Sequence, residues 1–314
     1  MTTTLTATTT PATGTPRGPR GLVWAVLRVH RTALVFWGLT LTAATAGLIW
    51  MHTIADDARR GNVPCAEPAH DGLPSCASVE AITVDGLYSD GIALVTTALC
   101  YVILPVAAWA GGALIGRELE SGTARLAWTQ SVTPARWLAA KLAVPAALLT
   151  AGTGAVLLLN LWARTDDNPN LVGDWYGPDQ FSGIGPVAVA YALAGLALGT
   201  LAGLLLRRTL PAAGVGFAAA LLLHTVLERY REDLWPTVTR SEKGEFELPR
   251  SAWQQDGDIT WGRHPGEGTP LSTSATFHPQ SHFWPLQYVE TGIVLVVAAA
   301  ATLAAFRLLR RRMP

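Results

Sequence analysis

A polar segment between two long apolar stretches carries the side chains of this chain that are best suited to bind a partner. It runs from Arg117 to Lys141 and reads RELESGTARLAWTQSVTPARWLAAK. Glu118 and Glu120 stand among arginines, so each carboxylate is a candidate to pair with Arg117, with Arg125 or with a basic groove on a second protein. The arrangement predicts a docking surface for a soluble protein.

Sequence motifs for enzymatic chemistry are absent. The chain has only two lysines, and Lys141 precedes a leucine while Lys243 precedes a glycine, so no GxxxxGK[ST] phosphate loop exists. No HExxH, CxxC or GxSxG pattern occurs either. His264, His278 and His282 invite a metal interpretation, but a proline interrupts the last pair, and surface histidines are the favoured interpretation. We expect no catalytic residue, no metal site and no cofactor on this chain.

The elements that must position the polar segment are apolar spans. Half of the 314 residues are hydrophobic and 15% are charged. A helix of about 20 apolar residues crosses the hydrocarbon core of a bilayer. Six stretches fit, which predicts an all-α membrane protein with transmembrane helices over residues 33–51, 91–116, 142–163, 185–206, 209–227 and 286–306.

The basic residues predict the orientation, because cytoplasmic loops carry an excess of Lys and Arg. With the N-terminus inside, the inner segments hold 14 basic and 2 acidic residues, a balance of +12. The outer segments hold the other 9 basic and 21 acidic residues, a balance of −12. We expect a multi-pass protein of the cell membrane with both termini cytoplasmic.

The first 32 residues divide into two parts. Residues 1–20 are rich in Thr, Pro and Gly without apolar periodicity, which is typical of a disordered cytoplasmic tail. In residues 21–32, Leu22, Val26 and Val29 share one face of a helical wheel, with arginines opposite. This favours an interfacial amphipathic helix, although arginines that merely flank a span explain the charges alone equally well.

Two large loops are predicted on the outer side. The first contains Cys65 and Cys76, where oxidising conditions allow a disulfide, although two free thiols also fit. The second covers residues 228–285 and contains four tryptophans, which fit either a small cap or a position at the lipid headgroups. Cys100 falls within the second span and is expected to fill apolar space there.

The spans contain little charge. The first five place no ionisable residue near the midplane, where ion-coupled carriers usually need one. His224, Glu228 and Glu290 lie near the outer ends of the last two spans, and we expect them to be interfacial anchors. The energy for any uphill transport would therefore come from another protein.

Local signals predict how the spans pack and how the polar segment folds. Gly195, Gly199 and Gly203 recur every four residues, which allows close helix contact either inside the protomer or at a dimer seam. The polar segment is expected to form a short helix over residues 117–130, weakened at its Ser-Gly pair. Thr133, followed by a proline, then predicts the cap of the third span.

The residue strings of the polar segment resemble a known family. The pattern E-x-E-x-G-T, followed by R-L-A-W-T-Q-S-V and R-W-x-x-x-K, is similar to the first cytoplasmic loop of type-2 ABC-transporter permeases, particularly actinobacterial members. The string F-W-P-L-Q-x-x-E-T-G at residues 283–292 is similar to the same group. The resemblance covers the six-span layout, and residues 21–32 match the elbow helix of the family. The outer loop before the last span is longer than the family leads us to expect.

The resemblance implies the membrane-spanning permease subunit of an ATP-driven exporter. In that family the permease forms a dimer with a second copy or a paralogue, and a separate ATPase subunit binds ATP and Mg²⁺. Membrane lipid would surround the spans, and nucleic acid would have no role. The loop 117–141 would contain the coupling helix, and its implied coupling residues are Glu118, Glu120, Gly122, Thr123, Arg125, Gln130 and Arg136.

Other functions stay open at this point. An ATP-independent carrier or channel would transport by itself in liposomes. A membrane anchor or sensor would work through the outer loop 228–285, and changes at Glu120 or Gly122 would then be harmless. An intramembrane enzyme is disfavoured because no nucleophile–base or metal constellation can be assembled.

Overall fold

The protein is described by a computed structural model. The structure describes residues 20–61, 79–129, 132–164, 168–244, 246–261 and 270–312. Several features expected from the sequence lie outside these residues, namely the tail up to residue 19, Cys65, Cys76, Gln130 and His264.

Long helices dominate the fold. Five of the described helices are long and apolar enough to cross a membrane, and a helix pair bent by 45°, Val84–Cys100 and Ile103–Glu120, makes six if it counts as one span. The predicted all-α membrane fold is therefore confirmed. The helices are α1 (Arg20–Val29), α2 (Arg31–Gly61), α3 (Val79–Cys100), α4 (Ile103–Trp109), a π-helical stretch (Ala110–Gly116), α5 (Arg117–Glu120), α6 (Thr123–Thr129), α7 (Pro134–Ala163), α8 (Pro169–Val172), α9 (Pro178–Gly183), α10 (Val187–Leu206), α11 (Thr209–Arg229) and α12 (Phe283–Arg312).

Several helices extend beyond the predicted spans. The first span continues to Gly61 in α2, and the second begins at Val79 in α3 rather than at residue 91. Such extramembrane turns stay helical because polar side chains three residues apart still interact on the helix surface, as Arg59 does with Asp56 at 2.7 Å. Hydropathy marks the membrane-buried part of a helix, whereas backbone hydrogen bonding decides where the helix ends.

The second span is bent just before Pro105. Proline has no backbone N–H, so the carbonyl of Tyr101 lacks its usual helical donor four residues on. The N–H of Leu104 donates to that carbonyl instead, at 3.1 Å, which makes a tighter turn between α3 and α4. The span therefore consists of two halves that meet at this turn.

Glycines bring the second span against α10. A Cβ atom on Gly195 would lie 2.5 Å from the carbonyl oxygen of Ile103, and one on Gly199 would collide with the carbonyl of Ala107. A Cβ on Gly203 would lie 2.7 Å from a side chain of the π-helical stretch. The three glycines of the predicted ridge thus face the second span of their own chain, where only Gly leaves room for this approach.

The two ends of the helix bundle are built differently. We call one end the basic face. It holds α1, α5, α6, the start of α7, the Arg207–Arg208 turn and the C-terminal end of α12. We call the opposite end the sheet face, because the chain after α11 forms three antiparallel strands there in the order β1-β3-β2: β1 (Val238–Lys243), β2 (Trp253–Trp261) and β3 (Pro270–His278).

An aromatic cluster joins the sheet to the bundle. Trp175 packs edge-on against both Trp253 and Phe283, with ring centroids 6.1 and 5.9 Å apart. The Trp175 indole N–H donates to the carbonyl of Ser251 at 2.7 Å. Part of the segment 228–285 is therefore a small sheet held to the bundle by aromatic packing, which fits the cap alternative, although the composition of the segment did not predict strands.

A buried ion pair lies at the sheet-face end of the bundle. Arg231 donates to both carboxylate oxygens of Glu290, at 2.8 and 3.3 Å, and to Ser182 Oγ at 2.9 Å. The Tyr191 hydroxyl donates to the same carboxylate at 2.7 Å. Glu290 is fully buried, so its prediction as an interfacial anchor is wrong. The turn after α11 places a cation beside it, which hydropathy cannot reveal.

Two histidines are also buried where the sequence predicted exposure. His224 lies inside the bundle, with Nε2 3.3 Å from Cys100 Sγ, and is not an interfacial anchor. His278 is fully buried rather than at the surface, and its Nε2 donates to the carbonyl of Glu232 at 3.0 Å. Its Nδ1 lies 3.0 Å from Nδ1 of His282. Sheet formation buries His278, and the prediction lacked the sheet.

Candidate functional site

The polar segment folds into two short helices rather than the single one expected. Gly122 turns the chain between α5 and α6 with a φ of +75°. This backbone conformation is open to Gly and strained for most other residues. After α6, the Thr133 side chain accepts a hydrogen bond from the N–H of Arg136 at 3.4 Å and caps α7, which begins at Pro134.

Glu118 points into the protein. Its carboxylate forms an ion pair with Lys141 Nζ and accepts a hydrogen bond from Trp137 Nε1 at 3.2 Å. The side chains of Glu118 and Lys141 are 16% and 4% exposed, so both charges are largely removed from water. The expected partners were Arg117, Arg125 or a second protein. Lys141 takes that place because α7 brings it beside α5.

All three protons of the Lys141 ammonium have acceptors. Besides Glu118, these are Nε2 of His30 at 3.0 Å and the carbonyl of Leu114 at 3.2 Å. Burial, together with the positive charges of Lys141 and Arg117, lowers the pKa of His30 to about 4. The ring is therefore neutral at pH 7, and its Nε2 can accept a hydrogen bond from the ammonium. One buried amine thus joins the α1–α2 junction, the second span and α5.

Glu120 is bonded to the fifth span. Its Oε2 accepts hydrogen bonds from the backbone N–H of Thr209 at 2.9 Å and from the Thr209 hydroxyl at 2.5 Å. Thr209 is the first residue of α11, where a negative charge is favourable because the N–H groups of a helix start are unpaired. The two acids of the polar segment therefore reach two different spans.

α6 presents one side to solvent. Ala124 is fully buried, and Trp128 packs edge-on against Trp137 with ring centroids 5.5 Å apart. Arg125 and Leu126 are exposed, and 60% of the Leu126 surface is accessible. An exposed pair of this kind combines charge with apolar area, as protein interfaces do. This side of α6 is a candidate contact surface.

The structure brings most of the predicted coupling residues to one corner of the basic face. Glu118, Glu120, Gly122, Thr123 and Arg125 lie on α5, α6 and the turn between them, and Arg136 lies in the first turn of α7. Gln130 is outside the described residues. The glycines of α10 lie within the bundle and belong to packing rather than to this corner.

Sequence reasoning missed three residues of the corner. The sequence did contain a signal that Lys141 is unusual, since it is one of two lysines and stands at the start of an uncharged apolar run. A lysine that only flanks a span needs no acceptor, whereas this one has three. His30 and Thr209 carried no such signal, because each lies far along the chain from the residues that it meets.

The contacts of the corner link helices to one another. Within the described ranges, no three His, Cys, Asp or Glu side chains converge in a way that could hold a metal ion. What the arrangement does is tie two short helices to several long ones through charged and hydrogen-bonded groups.

Comparison with known proteins gives a family match. A family model described as "ABC-2 membrane transporter related" matches residues 30–231, which is more than half of the chain. The matched region begins at the α1–α2 junction and ends just after α11, so it contains the whole polar segment. No curated protein and no solved structure matches the chain.

Proposed function

The chain belongs to the ABC-2 membrane transporter related family, and from that membership we propose that it is the permease of an ATP-driven exporter whose ATPase is a separate protein. Membership makes it a permease component of an ABC transporter. In the proposal, the ATPase docks on the basic face, which is then cytoplasmic, as both termini are. ATP and Mg²⁺ bind to the ATPase, and this chain supplies the path through the membrane.

The observation that carries the proposal is the two-sided character of the polar segment. Its acids, Glu118 and Glu120, are bonded inward to α7 and α11. Its arginine and leucine, Arg125 and Leu126, face outward on α6. A segment that only linked two spans would need no inward bonds to other spans. A segment with both features suits a surface that receives force and passes it on.

Force applied to α6 has three routes into the bundle. The polypeptide itself leads back to the second span, the Glu118–Lys141 ion pair leads to α7, and the Glu120–Thr209 bonds lead to α11. The second span, α10 and α11 are in backbone contact at glycines such as Gly199, so they would move together as one body. The acids therefore act as struts rather than as contacts with the ATPase.

In the proposed cycle, two permeases, identical or paralogous, face each other across the transport path. ATP binding draws two ATPase subunits together, and each pushes on the α6 of its own permease. The spans then rearrange so that a substrate leaves on the sheet face. The scarcity of ionisable residues in the first five predicted spans supports an external energy source, because ion-coupled carriers usually need such residues at the midplane.

The docking step is tested by purifying the tagged full-length chain from its native membrane and identifying the proteins that remain bound. We expect the wild type to retain a soluble ATPase, and Leu126→Asp to lose at least nine-tenths of it, because a charge replaces the apolar centre of the contact. The matched control is Ile259→Asp, since Ile259 is 45% exposed but lies on the sheet face. This control keeps the ATPase.

Two results would overturn the docking step. Recovery of no ATPase with the wild type would favour an ATP-independent carrier or an outer-loop sensor, which liposome transport by the chain alone would separate. Equal recovery with wild type and Leu126→Asp would show that the ATPase binds elsewhere.

The strut role is tested on the two lysines of the chain. We expect Lys141→Met to keep the ATPase bound but to lose most of the tryptophan fluorescence change that ATP causes in the wild-type complex. Lys243→Met is the matched control, because Lys243 is exposed on β1 at the sheet face. A full fluorescence change in Lys141→Met would contradict the strut role while leaving docking intact.

A further inference from the structure

An apolar groove opens between three of the membrane-spanning helices. It lies between α7, α10 and α12 and has a volume of about 470 Å³. Eleven of its twelve lining residues are apolar, and the twelfth is Thr302. Small side chains on the walls, such as Ala143 on α7 and Ala298 on α12, leave the space open.

The groove ends in arginines at the basic face. On α7, Arg136 precedes the lining residue Ala139 by three positions, and on α12, Arg310 follows the lining residue Phe306 by four. Residues three or four apart lie on the same side of a helix, one turn from each other. Two of the three walls of the groove, α7 and α12, therefore continue into an arginine one turn closer to the basic face. Both arginines are exposed.

The acids of the basic face do not neutralise these arginines. Within the described polar segment, Glu118 is engaged by Lys141 and Glu120 by Thr209. The mouth of an apolar groove thus carries two positive charges whose long side chains reach toward the membrane surface.

We propose that this groove binds an anionic phospholipid, with one acyl chain along the apolar walls and the phosphate between Arg136 and Arg310. A guanidinium group forms charge-assisted, often bidentate hydrogen bonds with phosphate. The volume falls within the range of about 300–1,000 Å³ that is usual for small-ligand sites. An apolar cleft between membrane spans takes up lipid chains, and the arginine pair adds a preference for a negative headgroup.

A second copy of the chain fits this surface less well. A two-fold interface places the same patch on both subunits, so Arg136 and Arg310 would face their own counterparts across the seam. Four guanidinium groups would then meet without a carboxylate between them. A bound lipid phosphate removes the same repulsion within a single chain, so the charges favour lipid as the occupant.

The experiment titrates the purified full-length chain with phosphatidylglycerol and with phosphatidylcholine of the same acyl chains, and counts bound lipids by native mass spectrometry. We expect one phosphatidylglycerol to be retained per chain more strongly than phosphatidylcholine. Arg136→Gln/Arg310→Gln weakens phosphatidylglycerol binding by roughly thirtyfold, because each lost guanidinium–phosphate hydrogen bond contributes about a factor of five. The control is Arg307→Gln/Arg311→Gln, which removes two exposed charges from the same end of the protein and keeps binding within about threefold.

Filling the groove separates this site from diffuse attraction to the basic face. We expect Ala143→Phe to remove the retained lipid of either headgroup, and Thr302→Leu provides a second filling variant if the first lowers thermal stability. Arg310 is outside the predicted coupling set. Arg310→Gln alone should therefore weaken phosphatidylglycerol binding while the chain retains its ATPase. Three results would overturn the proposal. They are equal weakening of phosphatidylglycerol binding by the control pair, unchanged lipid binding in both filled variants, and a disulfide cross-link between two copies of Ala143→Cys.

Discussion

The buried ion pair at the sheet face permits the sharpest prediction about stability. Glu290 is fully buried in α12, and the side chain of Arg231 is 3% exposed. Arg231 also lies over the ring of Phe181, with Cζ 4.3 Å from the ring centroid, so its surroundings are apolar apart from its hydrogen-bond partners. Glu290→Gln removes the only negative charge in direct contact with it among the described residues.

The magnitude follows from that burial. Removing one partner of a buried ion pair costs about 3–5 kcal/mol, because the remaining charge is left without compensation. For a protein of this size, a loss of 1 kcal/mol lowers the midpoint temperature by about 2 °C, so we expect the midpoint of Glu290→Gln to fall by about 6–10 °C. The double variant Arg231→Met/Glu290→Met should lose less than Glu290→Gln. It buries no charge, although the Tyr191 hydroxyl loses its acceptor.

The assay is thermal unfolding of the purified chain in detergent, followed by tryptophan fluorescence. The control is Glu242→Gln, which breaks an ion pair with Arg240 on exposed β1. Surface pairs contribute about 0–1 kcal/mol, so its midpoint should move by no more than about 2 °C. A shift in Glu290→Gln as small as that of the control, or a double variant less stable than the single one, would refute the reasoning.

Three further predictions concern glycine packing, helix capping and pH. Gly199→Ala should lower the free energy of unfolding by about 1–3 kcal/mol, because the added Cβ meets the backbone of the second span. Gly154 has nothing within 4 Å of such a Cβ, so Gly154→Ala should keep or raise the midpoint temperature. Equal losses of stability in the two variants would contradict the packing. Thr133→Ala should cost about 1 kcal/mol by removing the α7 cap, and Thr133→Ser should restore the midpoint if the hydroxyl is responsible. The pKa of His30 is lowered to about 4, so the unfolded chain binds a proton first as the pH falls. Stability linked to His30 is therefore complete above pH 6.5 and lost progressively toward pH 4. His30→Gln should flatten that part of the pH–midpoint curve, and an unchanged slope would show that His30 does not contribute.

Helical spans were open to prediction because their signal is local. An apolar run long enough to cross a bilayer is visible in any window of the chain, and so is the Thr133-Pro134 start of α7. The location of the polar segment between two spans was visible for the same reason. The bend at Pro105 also has a local cause, a missing backbone N–H, although its size depends on what packs against the two halves.

The contacts of the candidate site were not open to prediction, because each joins residues that are distant in sequence. Glu118 is 23 positions from Lys141, Glu120 is 89 from Thr209, and His30 is 111 from Lys141. Charge alone suggested that the acids would pair with the nearest arginines. Packing of α7 beside α5 instead supplied Lys141, a buried cation for which Glu118 is the negatively charged acceptor.

By itself, the sequence determined that the chain is a helical membrane protein and that a polar segment follows the second apolar run, since both depend on composition within short windows. Tertiary structure alone decided that Glu118 and Glu120 turn inward, that Glu290 is buried against Arg231, and that three strands after α11 form a sheet. The physical reason is that burying a charged side chain is costly unless a group of opposite charge or a hydrogen-bond partner lies beside it. The position of that partner depends on how helices that are distant in sequence pack against each other.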